Sequence, residues 1–167
     1  MKVVVIGIGN PDRGDDGAGP AVTALLRQRL PAAQSVSVVD SDGDPARLID
    51  AWDGAGLAVV IDAVHSHAAP PGHVHRVTVD AAADPAAAFA AGGPSTHGLG
   101  PGDAIALAAA LDRLPGSLAV FGIEGDQFGF GDDLSAAVAR SVLQVADEVA
   151  ALVTTTPDKD QETAPCA

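Results

Sequence analysis

The chain has 167 residues, of which 47% are hydrophobic, and its nine basic and 22 acidic residues give a formal net charge of −13. This charge disfavours binding to nucleic acid or to anionic membrane surfaces. No apolar run approaches the roughly 18 residues that span a bilayer, and Met1 leads straight into a predicted strand without a signal-peptide core. We therefore expect a cytoplasmic protein with neither nucleic acid nor membrane as a partner. A single cysteine, Cys166, excludes an internal disulfide.

Strand and helix patterns alternate along the chain. Apolar runs and period-two alternation predict strands at 2–8, 35–40, 57–64, 73–79 (an edge strand) and 117–123. Helical spacing of apolar residues predicts helices at 17–30, 45–52, 102–111 and 133–152. Asp132 and Asp133 stand where they would cap the last helix. The alternation predicts an α/β fold with a largely parallel sheet covered on both faces.

The rest of the chain is assigned by composition. Residues 80–95 are rich in Ala, Gly and Pro and are predicted to form a loop. Residues 1–153 are predicted to form one domain, and residues 154–167 a disordered tail.

The opening loop, "GIGNPDRGDDGAG" at 7–19, resembles a glycine-rich phosphate loop but carries carboxylates. A dinucleotide fingerprint needs a third glycine where this chain has Asp12, and Asp15 and Asp16 would repel a pyrophosphate. Only Asp40, which ends the second strand, resembles a ribose-binding acid. The loop therefore disfavours a dinucleotide.

A phosphoacceptor receiver domain is the second interpretation. The acidic pair of the loop and Asp62, at the end of the third strand, would fit such a site. The design also needs a lysine near the fifth strand, and the only lysines are Lys2 and Lys159, at the two ends of the chain. This interpretation fails.

The third interpretation is a metal cation held by Asp16, Asp62 and His97. All three follow strands or precede a helix where the carboxyl edge of a parallel sheet is expected. Two carboxylates and one imidazole leave coordination positions open, which suits a divalent first-row ion that also binds another group. Asp16 could instead cap the following helix, and His97 could be a surface histidine. Asp62 is harder to explain as structural, because burying a carboxylate is costly unless it is paired.

Four stretches together carry a family resemblance: "VVVIGIGNPDRGDDGAGPAV", "VVIDAV", "STHGLGPGDAIALA" and "VFGIEG…GFGDDLSAAV". Over residues 2–153 the chain resembles the hydrogenase maturation endopeptidases. The resemblance implies a three-layer sandwich with a central, mostly parallel five-stranded sheet and helices on both faces. It also implies removal of the C-terminal extension of a nickel–iron hydrogenase large-subunit precursor after nickel insertion.

By motif position, the resemblance makes Asp16, Asp62 and His97 both the catalytic and the nickel-contacting residues. The nickel would arrive in the precursor rather than be stored by the protein. Asp40 and Gly43 would contact the substrate, in a turn that reads "DSDGDP" where such proteins usually read "DGGT". A metal-polarised carbonyl and a metal-bound water are both possible routes to cleavage.

Two other features leave alternatives open. The stretch "HSHAAPPGHVH" places His65, His67, His73 and His75 together, and the last two share one face of a strand, where they could bind a metal. If that cluster matters, a nickel-binding chaperone or sensor without peptidase activity is an alternative function. A protease of the same fold with another protein substrate is a further alternative. Glu124, at the end of the last strand, is either a substrate contact or a loop acid.

Overall fold

The computed structural model describes residues 1–31, 35–80 and 101–155. The elements in chain order are β1 (Val3–Ile8), a 3-10 turn (Gly14–Gly17), α1 (Ala18–Arg29), β2 (Val36–Ser41), α2 (Pro45–Trp52), β3 (Leu57–Val64), β4 (Val74–Asp80), α3 (Pro101–Ala110), β5 (Ser117–Glu124) and α4 (Ala136–Thr155). Each predicted strand and helix is present, and α2 and β3 have the predicted bounds.

The strands form one sheet in the order β2-β1-β3-β5-β4. The pairs β1–β2, β1–β3 and β3–β5 are parallel, and only β4 pairs antiparallel, with β5. The predicted α/β fold with a mostly parallel five-stranded sheet is therefore confirmed. β4 lies at an edge of the sheet, as its alternating sequence predicts.

Two apolar layers cover the sheet. Alternate strand residues such as Val59 pack with α1 and α4, whereas their neighbours such as Val60 pack with α2 and α3. β1 and β3 are apolar on both faces because both faces are covered, which explains their continuous hydrophobic runs. The predicted three-layer sandwich is confirmed.

The strand order reverses direction at β1. The chain passes from β1 through α1 to β2 on one side, and then through α2 to β3 on the other side of β1. The carboxyl ends of β1 and β3 therefore lie side by side where the connections diverge, which is the position where open α/β sheets bind ligands.

The last helix begins later than the sequence predicts. The sequence predicts a helix from residue 133 with Asp132 and Asp133 as caps, but α4 begins at Ala136. Ser135 precedes the helix, and its Oγ accepts a hydrogen bond from the Val138 N–H at 3.4 Å. The capping prediction was wrong because serine occupies the position from which a side chain reaches the first free N–H groups.

At its other end, α4 continues to Thr155, two residues beyond the predicted domain boundary. The rest of the predicted tail, residues 156–167, and all but the first residue of the predicted loop 80–95 lie outside the described residues. Among the described residues, no helix has both the length and the apolar composition that a membrane span requires.

Candidate active site

The loop after β1 is folded around its own polar side chains. Asn10 Oδ1 accepts a hydrogen bond from the Asp12 N–H at 2.9 Å, and the Asn10 N–H donates to Asp16 Oδ2 at 3.0 Å. Gly9 adopts φ 132°, and a β-carbon there would overlap the Asp16 carbonyl oxygen. Asp16 is thus fixed against the end of β1.

Asp16 does not cap the helix that follows it. The N-cap position of α1 is Gly17, and no side-chain cap bond is found there. The Asp16 carboxylate instead accepts a bond from the loop backbone. The capping alternative is therefore rejected. Among the described residues, only one of the two Asp16 carboxylate oxygens accepts a hydrogen bond, so the role of the other is open.

Asp62 lies two residues before the carboxyl end of β3, beside the opening loop, and is only 8% exposed. The pKa of Asp62 is raised from 3.8 to about 7, mainly by burial and also by the negative charge of Asp16, against a smaller opposing hydrogen bond from the Ala63 backbone. β3 contacts the 3-10 turn that carries Asp16, and the charge of Asp16 acts on Asp62, so the two acids are neighbours at this edge of the sheet. Asp62 is buried and Asp16 is partly exposed, and a cation would stabilise this pair of like charges.

Asp15, next in sequence to Asp16, has a different role. It is fully buried, and its carboxylate accepts backbone N–H bonds from Asp126, Gln127 and Ser135 at 2.9, 3.0 and 2.7 Å. Burial pushes the pKa of Asp15 upward, but these bonds together outweigh burial and leave the pKa lowered. Asp15 therefore anchors the opening loop to the loop between β5 and α4.

Glu124 is also a structural acid. It is 1% exposed and accepts bonds from the Ser66 N–H and Oγ–H, the His67 N–H and the His75 ring at 2.7 to 3.0 Å. Burial raises its pKa, and these hydrogen bonds lower it by more. With its oxygens satisfied by the protein, Glu124 fits the role of a loop acid rather than a substrate contact.

An open cleft of about 780 Å³ adjoins the opening loop on the β2 side. Asp40 lines this cleft, half exposed, and its carboxylate accepts bonds from Thr23 and Arg27. Gly43 lies in the turn after β2 with φ 87° and donates its N–H to Ser41 Oγ. A role of Asp40 and Gly43 in substrate binding remains a prediction.

His97, the third member of the predicted triad, lies outside the described residues. Within the described ranges, no group of three His, Cys, Asp or Glu side chains is arranged to hold a metal ion. The structure thus brings Asp16 and Asp62 together, and the assignment of His97 as a ligand stays a prediction.

Two residues that shape the site were not assigned from sequence. Asp15 acts on residues more than one hundred positions away, and no local pattern separates it from Asp16. Thr23, the sixth residue of the apparently regular helix α1, donates a hydrogen bond to the Asp40 carboxylate. A polar residue on the buried face of α1 is the one signal that could have identified Thr23.

Comparison with known proteins gives consistent results. A model of the family "Hydrogenase maturation protease" matches residues 20–152, a range that includes Asp62 and begins four residues after Asp16. The hydrogenase expression/formation protein HupD of Thiocapsa roseopersicina is 31% identical over 131 residues, which cover 77% of this chain and 58% of the relative. The chain therefore matches little more than half the length of that curated relative.

Two solved structures are similar over most of both chains. The hydrogenase maturating endopeptidase HybD from E. coli has a TM-score of 0.75 at 19% identity, with 92% of this chain and 93% of that chain covered. The [NiFe] hydrogenase maturation protease HybD from Thermococcus kodakarensis has a TM-score of 0.71 at 26% identity, with 92% and 99% covered. The first of these likenesses concerns the fold alone.

Proposed function

This chain belongs to the hydrogenase maturation protease family, and from that premise we propose that it is a metal-dependent endopeptidase. Its substrate is a nickel–iron hydrogenase large-subunit precursor, from which it removes the C-terminal extension after nickel insertion. Nickel reaches the protein as part of this substrate. The proposal includes a cytoplasmic location, which cell fractionation tests.

The observation that carries the proposal is the Asp16–Asp62 pair. Two carboxylates meet at the point where the strand order reverses, one of them buried and with its pKa raised to about 7. Asp15 and Glu124, by contrast, have their charge satisfied by several protein donors. Asp16 and Asp62 accept fewer hydrogen bonds from the protein than Asp15 and Glu124 do. Among the described residues they are therefore the acids at this edge best placed to bind a cation, and carboxylate oxygens are suitable ligands for one.

The same pair gives a physical reason for waiting until nickel is inserted. A precursor that carries nickel brings positive charge to the two acids and relieves their repulsion. A precursor without nickel leaves the acids unpaired and docks less well, which is discrimination by an electrostatic penalty. For the hydrolytic step, the nickel of the substrate can polarise the scissile carbonyl or activate water, and both routes use the same two carboxylates.

The direct test is incubation of the protein with nickel-loaded and nickel-free precursor, followed by mass spectrometry of the precursor. We expect loss of the C-terminal extension from the loaded form only. A nickel-binding chaperone or sensor would change metal transfer and leave the precursor mass intact. A protease for another protein would leave both forms of the precursor uncut, and either result would reject the proposed reaction.

The predicted role of His97 has a separate test. We expect His97→Ala to weaken docking of the nickel-loaded precursor by roughly tenfold or more, since losing a charge-assisted contact costs at least about 1.4 kcal/mol. Docking of the nickel-free precursor should not change, and both affinities can be measured by surface plasmon resonance. An equal loss for the two forms would show that His97 is a structural residue rather than a metal ligand.

A further inference from the structure

The histidines of β4 form a close pair. His73, just before β4, and His75 within it lie two residues apart and therefore on one face of the strand. Their ring centroids are 4.7 Å apart in an edge-to-face arrangement. His73 is exposed and His75 is partly buried, so the pair is open to solvent on one side. The predicted shared face is thus confirmed.

A buried carboxylate stands behind this pair. His75 Nε2 lies 3.0 Å from Glu124 Oε2, and the other bonds to Glu124 come from donor groups of Ser66 and His67. An ionised carboxylate can only accept hydrogen bonds, so the proton of a neutral His75 ring lies on Nε2. Its Nδ1 then carries a lone pair. A carboxylate that holds the far nitrogen of an imidazole is the usual support of a metal-binding histidine.

The histidine pair lies at a different position in the sheet from the Asp16–Asp62 pair. The register puts both Asp62 and His75 opposite Gly122 of β5, so the two residues share one row and one face of the sheet. Two strand spacings, about 10 Å, separate their backbones. The β4 pair therefore lies on the same side of the sheet as the acid pair but uses different ligands.

We propose that His73 and His75, supported by Glu124, form a second binding site, for a divalent first-row transition metal ion. Imidazole nitrogen suits Zn²⁺, Ni²⁺ and Cu²⁺, and the net charge of −13 favours cations in general. Because the described residues offer no third ligand, water or a group from another molecule completes the coordination shell. The site does not depend on the proposed peptidase reaction.

The test is calorimetric titration of the full-length protein, without a histidine tag, with Ni²⁺ alone. All variants are compared in the Asp62→Asn background, which removes one predicted ligand of the other site. We expect one Ni²⁺ to bind, and we expect His73→Gln to weaken it at least about tenfold, because half of the ligand pair is lost. Since His73 is exposed, this substitution should not alter folding.

The matched control is His65→Gln. His65 is an exposed histidine of the same stretch, but its ring stacks on Phe128 and lies tilted against His67 instead. We expect its Ni²⁺ affinity to be unchanged. The proposal is overturned if His73→Gln binds Ni²⁺ like its parent, if His65→Gln loses as much affinity as His73→Gln, or if half-saturation needs millimolar Ni²⁺.

The support by Glu124 has its own readout. Glu124→Gln keeps the shape of the side chain but weakens the hold on the His75 ring, and we expect about 10- to 100-fold weaker Ni²⁺ binding. Nitrogen-15 NMR of the imidazoles should show protonation of His75 on Nε2 in the parent protein and a mixture of tautomers in the variant. A parent that is protonated on Nδ1 would contradict the proposed site even if Glu124→Gln unfolds.

Discussion

Asp62→Asn is expected to abolish precursor processing and to stabilise the protein at alkaline pH. The folded-state pKa of Asp62 is raised from 3.8 to about 7. A raised pKa in an acid means that folding disfavours the charged form, so stability falls as pH rises between these two values and stays low above the upper one. Asparagine cannot ionise and escapes this loss.

The expected gain is about 2 to 4 kcal/mol in the free energy of unfolding at about pH 8, and little or none at about pH 4. Urea unfolding at both pH values measures it, and the precursor assay measures processing. Asp12→Asn is the matched control, because it removes the same charge from an exposed position in the adjacent loop. Normal processing by Asp62→Asn would show that Asp62 is not an active-site residue. Equal stability of wild type and Asp62→Asn at pH 8 would contradict the cost of burying a charged Asp62.

Asp15→Ala is expected to destabilise the protein by roughly 2 to 4 kcal/mol, because it removes a fully buried carboxylate and leaves three partly buried backbone N–H groups without their acceptor. The N–H groups of Asp126, Gln127 and Ser135 all donate to this carboxylate. Asp12→Ala, in the exposed part of the same loop, should change stability by less than about 0.5 kcal/mol. Urea unfolding at neutral pH compares the two variants.

The pH dependence of this effect runs opposite to that of Asp62. Because the folded-state pKa of Asp15 is lowered, its contribution is fully present above the pKa of the unfolded chain, near 4 for an aspartate, and is lost as pH falls through the folded-state value. The stability difference between wild type and Asp15→Asn should therefore be constant from about pH 6 to 8 and shrink in acid. A difference that does not depend on pH would show that the shape of the side chain matters rather than its charge.

Sequence patterns predicted the framework because the framework follows local rules. The run at 57–64 is apolar except for Asp62, since both sheet faces are covered. The helix at 45–52 has Asp44 as its N-cap, whose side chain accepts a hydrogen bond from the Arg47 N–H. The placement of Asp62 at a carboxyl edge followed from the same alternation of strands and helices.

What could not be predicted depends on contacts between distant parts of the chain. Asp15 and Asp16 are adjacent and chemically identical, yet one is satisfied by the loop after β5 and the other meets Asp62. The 3-10 turn sets the directions of the Asp15 and Asp16 side chains, and no local sequence pattern predicted this turn. Likewise, Asp133 is a residue type that often caps helices, but Ser135 is the residue that accepts the Val138 N–H, and its own N–H donates to the distant Asp15.

The anchoring of the opening loop also has a consequence for protein engineering. Backbone hydrogen bonds join Asp12 to Gly131, Gly14 to Asp132 and Asp15 to Gln127, in addition to the bonds of the Asp15 carboxylate. The opening loop and the loop between β5 and α4, which are far apart in the sequence, are therefore held together as one structural unit. A chimaera that takes one of them from a related enzyme should take the other from the same donor, so that the hydrogen bonds between the two segments are kept.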